Sequence, residues 1–156
     1  MKKYLDIKRL PSLVGIVLAL VPFLLLLIPI LYTENSGNIV VINGYQALSF
    51  LSDSLNENLY YGTISIILLM VCLGIFIIYS FSALFVKEER LKTTRYISYF
   101  FYFLALASII ASIVLYSYCI ENNIHLNIGI FVVLSYLVVS LIIYIVTSIL
   151  IKKKKQ

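Results

Sequence analysis

Apolar and polar residues alternate along this chain in long blocks, not in short periods. Residues 13–32, 63–86, 96–118 and 128–151 carry no charge and are dominated by Leu, Ile, Val and Phe. The second block, TISIILLMVCLGIFIIYSFSALFV, has 24 residues. As a helix at about 1.5 Å per residue it is ~36 Å long, enough to cross a hydrocarbon core of about 30 Å with some tilt. The pattern predicts four membrane spans over those blocks. The connectors are then an outer loop (33–62), a cytoplasmic loop (87–95) and an outer turn (119–127).

The outer loop has a pattern of its own. Ile39-Val40-Val41-Ile42 is β-branched and is bounded by Gly37 and Asn43-Gly44, so it reads as a strand. Two continuations are open. Asn43-Gly44 is a hairpin turn with residues 45–50 as the return strand, or Asn43 is a helix N-cap with Gln46 completing a capping box. The second places Tyr45, Leu48, Leu51, Leu55 and Leu59 on one helical face. Apolar residues do not alternate after Gln46, which favours the amphipathic helix. Its apolar face is either a lid on the bundle or a docking face formed by Tyr45, Leu48, Leu51 and Leu55.

Pro22 and Pro29 fall inside the first span. Each removes a backbone donor, so each predicts a kink whose freed carbonyl is met by a neighbouring helix. A cleaved signal peptide is the rival reading of this stretch. Its apolar core is too long for one, and no Ala-x-Ala site follows, so an uncleaved helix is expected. Small and polar residues recur in each span at spacings of 3, 4 or 7. They are Gly15 and Ala19; Ser65 and Cys72; Ala105, Ser108 and Ser112; and Ser140 and Thr147. In lipid, such stripes allow close helix packing. The expected fold is an all-α membrane protein: one domain, a four-helix transmembrane bundle with a small outer strand and amphipathic-helix cap.

Composition reinforces this. The chain is 62% hydrophobic over 156 residues, more apolar surface than a soluble domain of that size can hide. Charge adds orientation. The twelve basic residues form three groups: Lys2, Lys3, Lys8, Arg9; Lys87, Arg90, Lys92, Arg95; and Lys152 to Lys155. The other two connectors hold Glu34, Asp53, Glu57 and Glu121 and no Lys or Arg. The positive-inside rule then places both termini and the 87–95 loop in the cytoplasm, in a plasma membrane. The expected partners are the lipid bilayer, with anionic lipid at the cytoplasmic face, and a membrane protein or a second copy of the chain. The basic groups sit at span ends, which argues against nucleic acid.

Candidate chemistry is sparse. No Asp, Glu, Lys, Arg or His lies within a span, which argues against ion-coupled transport, proton relay and voltage sensing. His125 is the single histidine; with Glu121 beside it, it falls short of the three or four ligands a metal needs. Cys72 and Cys119 lie at different depths, so no disulfide is expected. No catalytic residue, cofactor or metal site is predicted. The leading expectation is a non-enzymatic accessory or interaction protein. A small transporter for a neutral solute, lined by Ser108, Ser112, Ser140 and Thr147, is the alternative. An outer-face enzyme built on His125 and Glu121 is the third.

The layout, with a long first outer loop, is similar to the claudin plan, but the tryptophan and paired loop cysteines of claudins are missing. A first span ending near a proline, a short strand and the run Gly44-Tyr45-Gln46-Ala47 resemble small four-span bacterial membrane proteins. That resemblance implies a fold and no activity. The bias toward Ile, Asn, Lys and Tyr fits a low-GC bacterium.

Overall fold

Two prolines shape the first helix in opposite ways. In the computed structural model, which describes residues 9–35, 38–52, 57–119 and 123–153, α1 spans Leu10–Leu25. Pro11 sits in its first turn, where the missing N–H had no helical partner anyway. Pro22 lies inside the helix and leaves the Leu18 carbonyl without its usual donor. The Tyr136 hydroxyl, from the last helix, donates to that carbonyl at 3.2 Å. A neighbouring helix thus supplies the bond that proline removes.

Pro29 ends the helix. The span expected to run helically to Tyr32 stops at Leu25 and tightens, with Leu27 N–H donating to Leu24 and Ile28 N–H to Leu25, both at 3.0 Å. A residue before proline is pushed out of the helical region, so Ile28 cannot continue the turn. The next residues, Pro29–Asn35, form a strand, β1. Strand β2 (Asn38–Asn43) returns antiparallel beside it, with Tyr32 opposite Val41 and Glu34 opposite Ile39.

The chain continues as a 3-10 helix over Gln46–Ser52, then α2 (Glu57–Ser82), α3 (Glu88–Ser117), β3 (Ile124–Leu126) and α4 (Ile128–Lys153). β3 pairs antiparallel with the other side of β1, giving a sheet of order β2-β1-β3. The strand expected at 39–42 is present. Its partner is β1, taken from the end of the expected first span (29–32) and the start of the outer loop (33–35), and not residues 45–50. The long amphipathic helix is replaced by the short 3-10 helix, and α2 begins at Glu57, ahead of the expected 63.

α2, α3 and the Ile128–Ile151 part of α4 are long and apolar enough to cross a membrane. The sixteen residues of α1 reach only ~24 Å. The four helices pack in a ring, α1 beside α2 and α4, and α3 beside the same two. Their outward positions are apolar, among them Val17, Leu24, Ile78, Phe100, Phe103 and Val139. That is the reverse of a water-soluble bundle, where the outward stripe is polar.

Aromatic rings fill the centre. The Phe76 ring meets Tyr102 at 5.0 Å and Tyr144 at 5.4 Å, both edge-on. Gly15 makes room for them: a Cβ there would lie 3.0 Å from both the Phe76 and Tyr144 rings. Of the stripe residues, Gly15, Ala19, Cys72, Ala105, Ser108, Ser112 and Ser140 are buried. Ser65 and Thr147 are partly exposed, and their hydroxyls donate to Tyr61 and Ile143 of their own helices.

Candidate docking surface at the sheet end

Asn43 turns the chain from β2 into the 3-10 helix. Its side-chain oxygen accepts from the N–H groups of Tyr45 (3.1 Å) and Gln46 (2.9 Å), and the Gln46 side-chain oxygen accepts from the Asn43 N–H at 3.0 Å. This is the reciprocal capping box read in the sequence. The turn also closes the end of α1, whose last carbonyls lack helical donors. Gly44 N–H donates to Leu26 at 2.8 Å, and the Tyr45 hydroxyl donates to the Phe23 carbonyl at 2.8 Å.

That bond changes the reading of the expected docking face. Tyr45 is partly exposed but holds α1. Leu48 is half-buried, and Leu51 is exposed. In a 3-10 helix positions i and i+3 eclipse, so these three share one edge. Leu55 lies outside the described residues. Below the edge, Ala47 is fully buried. The Thr63 hydroxyl of α2 reaches the carbonyls of Ala47 (3.2 Å) and Leu59 (2.9 Å) and meets the buried Tyr116 hydroxyl at 3.1 Å. Gly62 lets the Tyr116 ring lie against α2, because a Cβ there would come within 2.5 Å of it.

The larger exposed apolar surface is on β2. Ile39, Val40 and Val41 are 67%, 54% and 51% exposed. Neighbouring strand residues point to opposite faces, so the hairpin is bare on both sides here. β2 is also an edge strand, and alternate N–H and C=O groups along its far side face away from β1. Proteins usually blunt such an edge with Lys, Pro or a bulge. Positions 38–43, Asn-Ile-Val-Val-Ile-Asn, contain neither Lys nor Pro. The sequence pattern marked this strand but not its exposure. The signal was the unbroken β-branched run, which has no polar face to turn toward water.

At the other edge, His125 stacks on Tyr32 across the β1–β3 pair, with ring centroids 5.0 Å apart. Asn127 N–H donates to the Ile30 carbonyl at 2.8 Å and joins the start of α4 to β1. Glu121 and Asp53 lie outside the described residues. Among the described residues, no three His, Cys, Asp or Glu side chains come together. Cys119, just past α3, is buried, its thiol directed at the Leu115 carbonyl at 3.6 Å. Burial pushes that thiol's pKa up.

The serine stripe is engaged within the bundle. Ser108 donates to Leu104 at 2.8 Å, Ser112 to Ser108 at 3.0 Å, and Ser140 to Leu137 at 3.1 Å while also meeting the Tyr102 hydroxyl. Thr147 donates to Ile143 at 2.7 Å. Hydroxyls bound to the preceding turn in this way leave few polar groups to line a pathway. No protein-family model, curated protein or solved structure matches the chain.

Proposed function

We propose that this chain is a non-enzymatic interaction protein of a plasma membrane, which docks a membrane-protein partner through the β2 edge and the adjoining Leu48–Leu51 edge. The observation that carries it is the bare, uncharged edge of β2. An extended segment of a partner adds there as a further strand; main-chain bonds supply affinity and the Ile39 and Val41 side chains supply selectivity.

The same proposal has the chain crossing the bilayer four times. α1 falls short of ~30 Å alone, but the apolar residues 26–28 extend it before the sheet begins. The clustering of lysine and arginine supports cytoplasmic termini and a cytoplasmic 87–95 turn, leaving the sheet outside.

The test uses a photo-crosslinking side chain at position 40 in intact membranes. A discrete adduct is expected, lost when Ile39→Lys and Val41→Lys are combined. Both positions are exposed, so stability should move by no more than about 0.5 kcal/mol each. Adducts that persist unchanged in the double variant, with the protein still folded, sink the docking edge.

A further inference from the structure

One helical turn from the central aromatic layer, toward the α2–α3 turn, each helix contributes a hydroxyl. Ser12 of α1 lies three residues before Gly15, Ser80 of α2 four after Phe76, and Ser98 of α3 four before Tyr102. All three serines are buried, and the equally buried Tyr144 hydroxyl of α4 lies beside Ser80 and Ser98. Ser98 donates to the Thr94 carbonyl at 3.0 Å. The Tyr144 hydroxyl faces both Ser80 and Ser98, so hydroxyls of this layer serve one another as polar neighbours.

A cleft opens between α3 and α4. Leu91, Lys92, Arg95, Tyr96, Tyr99 and Ser148 line about 290 Å³, with Glu88 at the rim. The Arg95 guanidinium lies within electrostatic range of both Tyr144 and Tyr99. The Tyr99 hydroxyl donates to Ser148 at 2.7 Å. Lys92 stands 5.9 Å over the Tyr96 ring. Neither Glu88 nor Arg95 is a free charge. The Ser148 hydroxyl in turn donates to the Tyr144 carbonyl at 3.0 Å, so the Tyr99 and Ser148 hydroxyl protons are both engaged, and beside Glu88 the cationic donors of the wall are the Arg95 guanidinium and the Lys92 ammonium. Such a wall suits an oxyanion, and the planar guanidinium suits phosphate best.

We infer that the α3–α4 cleft is a binding site for a phosphate group, with Arg95 and Lys92 holding the oxyanion. Two sources share this chemistry: the headgroup of an anionic phospholipid and free phosphate. Basic pockets between helices at a cytoplasmic face take such headgroups, and the Leu91 and Tyr96 side chains offer the apolar wall a lipid needs.

The test uses the full chain in neutral detergent, with thermal unfolding and native mass spectrometry as readouts. Phosphatidylglycerol, phosphatidylcholine and inorganic phosphate are added separately. Retention of one phosphatidylglycerol with a raised unfolding temperature, absent with phosphatidylcholine, is expected if the source is lipid. Stabilisation by millimolar inorganic phosphate alone assigns free phosphate. Arg95→Gln should weaken the effective ligand at least tenfold, while Arg90→Gln, outside the cleft, should not. Lys92→Gln is the milder second variant should Arg95→Gln fail to fold, and it should weaken binding several-fold. The inference is overturned if neither phosphate source stabilises the protein more than phosphatidylcholine does. It is equally overturned if Arg90→Gln weakens binding as much as Arg95→Gln or Lys92→Gln.

Discussion

A single methyl group distinguishes two glycines of this chain. At Gly129 a Cβ would fall 2.1 Å from the Pro29 carbonyl oxygen, where the start of α4 abuts the start of β1. Backbone meets backbone there and neither can step aside. Gly129→Ala is therefore expected to destabilise by at least about 2 kcal/mol, read as thermal unfolding in detergent. Gly74 has nothing within 4 Å of its Cβ position. Gly74→Ala should be neutral or stabilising by up to ~1 kcal/mol through helix propensity alone. The cysteines make a second test at this scale. Neither is in a disulfide and both are buried, and the raised Cys119 pKa keeps its thiol protonated near neutral pH. Thiolate is the reactive form, so maleimide should label Cys119 slowly until the protein is denatured. Rapid labelling in the folded state would contradict its burial.

Two elements depend on bonds supplied from outside themselves. α1 keeps Pro22 because Tyr136 serves the Leu18 carbonyl. Tyr136→Phe should cost about 1 kcal/mol in the wild-type background. In a Pro22→Ala background residue 22 regains its own N–H, so the same change should cost little. This double-mutant cycle isolates the bond; equal costs in both backgrounds would refute the account. The 3-10 helix depends on Asn43, which accepts from two N–H groups. Asn43→Ala should cost about 1 kcal/mol and speed amide exchange at residues 45–50. The capping box was legible because it needs only Asn43 and Gln46 at their spacing. The length of the helix after it was not. Buried Ala47, whose carbonyl accepts from the Thr63 hydroxyl, ties this turn to the bundle through a contact that the local pattern does not encode.

At the scale of the whole molecule, the packed bundle with an apolar exterior fits the proposed membrane setting. The sharpest measurement is the side on which the ends lie. A tag after Lys155 should resist a membrane-impermeant reagent in intact cells and react once they are lysed. Reaction in intact cells would reverse the proposed orientation and place the sheet, with its β2 edge, in the cytoplasm. The docking proposal depends on that orientation, whereas the helix packing does not.

Long uncharged blocks announce apolar helices from the sequence alone, because the number of residues needed to cross a bilayer is set by helix rise and bilayer thickness. The strand at 39–42 and the Asn43–Gln46 box were equally readable, since both are local. The conversion of residues 29–32 from expected helix, and of 33–35 from expected loop, into a central strand was not. Pro29 forbids the helix locally, but a strand forms there because β2 and β3, the latter some ninety residues on, offer hydrogen-bonding partners on both sides. Nor could the sequence show that the Tyr144 hydroxyl faces Ser80 and Ser98, or that Tyr45 holds α1. Those follow from the relative rotation and offset of four helices, which side chains from distant parts of the chain fix only once they pack.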